Sequence, residues 1–412
     1  MGLMRSVRPV LPILIGAALT LSLALGMRQT LGIFMPPLTR DIGIRVSDFT
    51  IAISAQNLVW GVLQPFSGAL VVRWGFRPVM LAGAVLYVAG LTTLALAQGL
   101  WQVIIGAGVL TGMSMACIGS SVTMAVTARA VPVAIRSTML GIVAAAGSIG
   151  AMLAAPVGQW LSVHYGWRVG VLGFVVFAIA ILPAAWYAGR VDKLPLPPPV
   201  RDDTVRNTFG SAALMALRNP GFMVMALAYF VCGMQLVFLT THLPSYLEIC
   251  GMDPMLSAQA LGVIGGANVL GSLFFGWAGN RWNKQALLGG IYILRSITLV
   301  WYFMGAPTPA GTLLFAGIMG FLWLGVSPLV AGSVTEMFGL RWQAMITGLA
   351  FFSHQLGSFA GAFGGGVLYD LLGSYTLAWQ LGVALGLAAG IGQLAFALAR
   401  PMPPPPRSAA PA

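Results

Sequence analysis

Twelve apolar runs, beginning near residues 10, 49, 77, 100, 137, 167, 219, 257, 285, 312, 344 and 377, follow one another along the chain with only short polar punctuation between them. Each is about 20 residues long, the length of helix that crosses roughly 30 Å of hydrocarbon. Of the 412 residues, 58% are hydrophobic and 7% charged, which excludes a water-soluble fold. The expectation is an all-α integral membrane protein with twelve transmembrane helices.

A formal net charge of +12 raises the question of a nucleic-acid partner. The basic residues answer it, because they are not gathered into one patch with interleaved aromatics. Threading twelve helices with the N-terminus inside puts Arg5, Arg8, Arg73, Arg77, Arg129, Arg136, Arg190, Lys193, Arg201, Arg206, Arg218, Arg281, Lys284, Arg341, Arg400 and Arg407 on one side, and only Arg40, Arg45 and Arg168 on the other. That asymmetry is the positive-inside pattern and places both termini in the cytoplasm. The charge is therefore topogenic, and no nucleic acid is expected as a partner. Arg5 and Arg8 precede an apolar run as in a signal peptide, but the run continues through Phe34 without a small-residue cleavage site and reads as an uncleaved first helix. The three cysteines, Cys117, Cys232 and Cys250, show no pairing or metal spacing.

The longest polar interruption, residues 188 to 221, is rich in proline and charge and divides the chain into six helices and six. Its composition predicts an extended cytoplasmic linker with a short surface helix near residues 208 to 217. The expected division is a first six-helix bundle over 1–189, a linker over 190–218, a second bundle over 219–400 and a flexible tail over 401–412. The two halves also resemble each other. "GMRQTLGIFMPPLTRD" (26–41) lies over "GMQLVFLTTHLPSYLE" (233–248), "GALVVRW" (68–74) over "GWAGNRW" (276–282), "SVTMAVTAR" (121–129) over "SVTEMFGLR" (333–341), and "AAAGS" (144–148) over "HQLGS" (354–358). Two parallel six-helix repeats about a pseudo-twofold along the membrane normal describe a transporter with its substrate site at the midplane, between the halves.

The loop "GALVVRWGFR" resembles the signature of the major facilitator superfamily at Gly68, Leu70, Arg73, Gly75 and Arg77. The family's aspartate is absent, with Val72 in its place and Asn280 at the equivalent point of the second half. The openings of the first and seventh helices and the stretch "FFSHQLGSFAGAFGGGVLYDLLGSY" are similar to the monocarboxylate and oxalate/formate-exchange branch. The resemblance implies the two-bundle fold, alternating access and a small organic anion as cargo. It also implies a cytoplasmic gate, for which Arg73, Arg77, Arg281, Glu336 and Arg341 are the candidates, with Glu336 facing Arg281, Arg341 or Arg73.

Arg28 lies inside the first apolar run with no acid within a helical turn. A charge at that depth normally faces a cavity or a partner, and a guanidinium is suited to hold a carboxylate through two parallel hydrogen bonds. The alternative is that it snorkels outward or pairs with Asp41. In the repeat, Arg28 corresponds to Gln235, a pairing of cation and amide that suits a ligand charged at one end. His354, central in the eleventh run, is the candidate proton carrier or a donor to a bound carboxylate. Asn57 and Asn268 are further candidate ligand contacts, and Arg295 a buried structural or gating cation. His164 and His242 suit packing near the outer helix ends. The branch's helix 8 arginine is replaced by Ser272 and its helix 11 lysine by His354, which favours a monocarboxylate over a dianion.

No nucleotide-binding loop, metal cluster or nucleophile–base pair occurs, so neither catalysis nor ATP-driven transport is expected, and no cofactor. The resulting expectation is a monomeric secondary carrier of the bacterial inner membrane, with a small organic anion, a proton as candidate co-substrate, and membrane lipid as its partners. The rivals are an exporter of lipophilic compounds, whose cargo would be indifferent to Arg28, and a transporter-like sensor without flux.

Overall fold

In the bilayer interior, backbone N–H and C=O groups must find partners within the protein, so each long apolar run closes its hydrogen bonds as a helix. The computed structural model describes residues 8–195 and 208–399. Arg5, Arg201, Arg206, Arg400, Arg407, the tail over 401–412 and the middle of the linker lie outside the described residues. Among those described, the long helices are α1 (Arg8–Ile42), α2 (Val46–Trp74), α3 (Phe76–Ala95), α4 (Leu100–Ala130), α5 (Val133–Tyr165), α6 (Trp167–Lys193), α7 (Pro220–Ile249), α8 (Pro254–Ala278), α9 (Lys284–Phe303), α10 (Pro309–Phe338), α11 (Gln343–Leu372) and α12 (Thr376–Ala399). The short helix expected in the linker runs from Phe209 to Arg218, its Phe209 ring stacked on Phe66.

Three helices are interrupted where the sequence demands it. Before Pro36 and Pro37, α1 tightens into a 3-10 turn at Leu31–Phe34, because a proline ring clashes with the preceding turn and brings no N–H. In α4 a π-helical stretch, Ile104–Leu110, is followed by a break at Gly119, whose extended backbone starts a new helix at Ser120. The third break, at Leu324 and Gly325 in α10, is held by side chains. Arg295, 1% exposed, donates from Nη2 to the carbonyls of Leu322 at 2.7 Å and Trp323 at 2.8 Å, and Asn268 Oδ1 accepts from Leu324 N–H at 3.1 Å.

Within the first half α1 packs on α5 and α6, and α3 on α4 and α6; within the second, α7 packs on α11 and α12, α8 on α10, and α9 on α12. Across the halves, α2 meets α11 and α5 meets α8. These crossings are tightest toward the end that carries Arg73, Arg136, Arg281 and Arg341, the basic end. A Cβ on Gly141 of α5 would come within 2.5 Å of the Ser272 carbonyl and 2.7 Å of Gly276 Cα in α8; one on Gly68 of α2 would fall 2.4 Å from Met345 N in α11. Burial follows the same gradient. On α11 the run from Gln343 to Gly348 is buried throughout, whereas Leu356, Phe359 and Phe363 further along are exposed; on α5 Leu140, Gly141 and Val143 to Ala145 are buried but Met152, Leu153 and Trp160 exposed. The halves are thus shut at the basic end and splayed at the other.

The latch at the basic end differs from the expected one. Glu336 pairs with Lys284 of its own half, not with Arg281, Arg341 or Arg73. All three arginines are exposed, and the Arg281 guanidinium stands over the Trp277 ring at 4.2 Å. Arg77 stands over Trp186 at 4.4 Å, and its backbone N–H donates to Asp192. Asn280, in the position of the missing aspartate, bridges the halves instead. Its Oδ1 accepts from Ser137 N–H at 2.9 Å and its Nδ2 donates to Thr138 Oγ1 at 2.6 Å. Because its carbonyl caps the orphan Ser137 N–H at the start of the α-helical part of α5, a neutral amide serves where a charge pair was expected.

Candidate functional site

Arg28 sits on α1 where that helix faces α2 and the opposite half. Its Nη2 donates to Asn57 Oδ1, and its guanidinium stands 4.8 Å from the centre of the Trp60 ring. Residues 57 and 60 are one helical turn apart, so α2 offers an amide and an aromatic face to the same cation. Its Nε has no hydrogen-bond partner, and among the described residues no carboxylate pairs with it. Asp41, the alternative partner, is taken by Arg168 at 3.2 Å and by the Trp167 indole N–H at 3.1 Å. The site is a desolvated positive charge held by neutral groups, an arrangement that favours an anion.

The opposite half reaches this cation through Gln355 of α11, whose Nε2 donates to the Asn57 carbonyl at 3.1 Å and to Asn57 Oδ1 at 3.4 Å. Gln355 Oε1 lies 3.3 Å from His354 Nδ1. Side chains one residue apart on a helix diverge by about 100°, so Gln355 faces α2 while His354 faces α7. There the imidazole packs on the Tyr229 ring at 4.6 Å and stacks on Phe351 at 5.7 Å. Trp60 completes the cluster, because its ring lies 4.6 Å from Phe351 and its indole N–H donates to Gln64 Oε1 at 2.8 Å. Gln64 in turn donates to the Ala116 carbonyl at 2.9 Å, which fixes the indole from α4.

Of the candidates, Arg28 and Asn57 are in direct contact, and His354 is linked to them only through Gln355. Gln235 does not join them. It is 3% exposed and turned into the α9–α12 contact, donating to the Gly382 carbonyl at 2.9 Å and to Ser296 Oγ at 3.4 Å, in space that Gly386 leaves open. Asn268 is likewise committed to the break in α10. His242 lies near the splayed end, 3.0 Å from the Ala362 carbonyl and 3.3 Å from the Tyr375 hydroxyl. Two central residues escaped the sequence reading. Trp60 follows Asn57 by three positions and precedes Gln64 by four, which sets it on their face; Gln355 directly follows His354 in the "SHQLGS" stretch.

A sequence profile described as Major Facilitator Superfamily matches residues 17–362. The chain is 23% identical to the uncharacterised transporter YcxA of Bacillus subtilis, over 92% of this chain and 93% of that one. It is 25% identical to monocarboxylate transporter 13 of Bos taurus, over 80% and 76% of the two chains. Among solved structures, that of FucP in the outward conformation superposes with a TM-score of 0.73 at 14% identity, covering 93% of this chain and 97% of that one. The human organic anion transporter MFSD10 gives 0.68 at 17% identity, covering 94% and 99%. With the family's profile matched over most of its length and its fold reproduced, the chain belongs to the major facilitator superfamily of membrane transporters.

Proposed function

We propose that the chain carries small monocarboxylates across the membrane by alternating access between its two bundles, with Arg28 as the anion's anchor. The observation that carries this reading is the Arg28 guanidinium itself, inside the membrane region, in contact with Asn57 and Trp60 and paired with no carboxylate among the described residues. A half-buried guanidinium at membrane depth without a counter-ion is electrostatically incomplete, and a cargo carboxylate completes it. Similarity to monocarboxylate transporters supports the same cargo class. Gln355 and His354 supply the contribution of the second bundle, so binding draws the halves together at the level of Arg28. His354 is the proton-coupling group, since no acid stands at that level among the described residues. Gln235 and Asn268 serve helix packing, and the gate is the Asn280 contact.

The basic end faces the cytoplasm by the positive-inside rule, in a bacterial plasma membrane, and the conformation described is then open outward. The carrier works as a monomer, with bundles over 1–189 and 219–400.

The test is thermal unfolding of the purified protein, wild type beside Arg28→Gln, across monocarboxylates, dicarboxylates, organic cations and lipophilic drugs. A monocarboxylate is expected to stabilise the wild type and to lose at least about 30-fold in affinity in the variant, the equivalent of about 2 kcal/mol for a hydrogen bond to a charged group. Stabilisation by lipophilic compounds alone, unchanged in Arg28→Gln, would put the exporter reading in its place.

A further inference from the structure

One level below the Trp60–Phe351 pair, toward the basic end, a small cavity lies between the halves. Its walls include Ser120 and Ser121 of α4, Tyr229 of α7, Ser327 of α10, and Thr347 and Phe351 of α11. Phe351 is shared, forming the roof of this cavity and packing on Trp60 above it. Hydroxyls dominate the polar lining, and no carboxylate is among the lining residues.

Two independent features make this more than a packing defect. The first is the break in α4. Gly119 is extended, with φ −72° and ψ −169°, and the helix that restarts at Ser120 runs 11 residues to Ala130. Its first turn closes with Thr123 N–H donating to the Gly119 carbonyl at 3.1 Å. In a continuous helix Ser120 N–H would meet the Ala116 carbonyl, but that oxygen is engaged by Gln64 Nε2 at 2.9 Å. The restarted helix therefore presents its positive N-terminal end beside the cavity, within the hydrocarbon zone. Irregular backbone at that depth is tolerated where it is buried in protein or lines a polar cavity, and half-helix N-termini there suit anionic groups.

The second feature is Thr347. The residue is 7% exposed, lines the cavity, and its Oγ1 has no hydrogen-bond partner among the described residues. A buried hydroxyl left unpaired is destabilising, and valine would fill the same space without that penalty. Facing the cavity, this unpaired hydroxyl is free to donate to a ligand there.

We infer that this cavity is a second anion station on the transport path, one level below Arg28, for a compact monovalent anionic group: the carboxylate head of the cargo or a free halide. Its walls come from both bundles, so it widens when the halves part at the basic end. The carboxylate alternative rests on the function proposed above; the halide alternative does not.

The test compares wild type, Thr347→Val, Thr347→Ser and Arg28→Gln, with pyruvate as the carboxylate probe and bromide as the halide probe. Each is followed by thermal unfolding in detergent and by pyruvate flux in proteoliposomes. Thr347→Val is expected to fold with an equal or higher midpoint and to bind pyruvate from the open side within about twofold of wild type. Its flux is expected to fall about tenfold, with Thr347→Ser restoring it. Bromide protection that is lost in Thr347→Val and kept in Arg28→Gln assigns the station to halide; flux loss without bromide protection assigns it to the carboxylate head. Wild-type flux in Thr347→Val, with any bromide effect unchanged, overturns the station, and Ser121→Ala repeats the test from the α4 side. Pyruvate binding that is indifferent to Arg28→Gln while Thr347→Val still loses flux removes the Arg28 anchor and leaves the station standing.

Discussion

The indole of Trp60 in α2 and the ring of Phe351 in α11 lie with their centres 4.6 Å apart and their planes tilted by 43°, while the Arg28 guanidinium faces the same indole at 4.8 Å. One ring is therefore both the floor beneath the cation and half of the closure between the bundles. Trp60→Leu removes a desolvated cation–π contact of about 1–2 kcal/mol. Monocarboxylate affinity should fall roughly fivefold to thirtyfold, and pyruvate should leak passively from loaded proteoliposomes. Trp60→Phe should stop the leak while recovering only part of the affinity. Titration calorimetry and radiolabelled efflux measure the two effects, and a tight membrane in Trp60→Leu would deny the ring its role in closure.

Asn280 joins the halves by two hydrogen bonds, each worth about 1 kcal/mol net. Asn280→Ala should shift the equilibrium toward the state open at the basic end by roughly thirtyfold, seen as longer distances between spin labels placed across that end. Asn280→Asp sets a negative charge at the start of the α-helical part of α5, worth about 0.3–1 kcal/mol, and should hold the end shut and slow net flux. Identical label distances in all three proteins would show that the latch lies elsewhere.

Arg295 belongs to stability. It donates to the carbonyls of Leu322 and Trp323 and, from Nη1, to Cys232 Sγ at 3.0 Å. Arg295→Ala leaves two carbonyls of a broken helix unpaired in the interior, at a cost of about 3 kcal/mol or more. Thermal unfolding should move down clearly, with pyruvate affinity of the folded fraction unchanged. Arg295→Lys, a point charge without the planar fork, should recover only part of the loss.

His354 gives a coupling test that needs no titration value. If it carries the proton, an inward acid gradient drives pyruvate uptake in the wild type. In His354→Gln the gradient should lose its effect while pyruvate–pyruvate exchange continues. Exchange and gradient-driven uptake falling together would make the histidine a ligand contact alone.

Helix number, the linker helix and the crowding of basic residues at one end are legible in the sequence because length, hydropathy and charge are local properties. That Arg28 needs polar partners inside the protein is legible because a cation in an apolar run has few explanations, and Asn57 and Trp60 supply them. Gln235 was misread because the repeat sets its depth but not its bearing. Ser296 and Gly386, far away in sequence, open a slot between α9 and α12 into which its amide turns. Asn268 and Arg295 are tied up by the break in α10, which Pro328, four residues past Leu324, announces in the sequence without saying which side chains will hold it. The gate was misassigned because charges read along a sequence pair by sign, whereas Lys284 lies nearer Glu336 than any arginine does and a neutral asparagine reaches the start of α5. Gln355 and Trp60 needed the crossing of α2 and α11, which exists only once the two halves meet.

The contact of Gly141 with Gly276 has a mechanical consequence. Where two backbones touch with no side chain between them, parting requires no rotamer to withdraw and reopens no socket. The surfaces separate as smooth faces do, and the resistance to separation is concentrated in a few polar fastenings at the rim. Such a joint is quick to open and easy to jam: a single added methyl at Gly141 should wedge the bundles apart at the basic end.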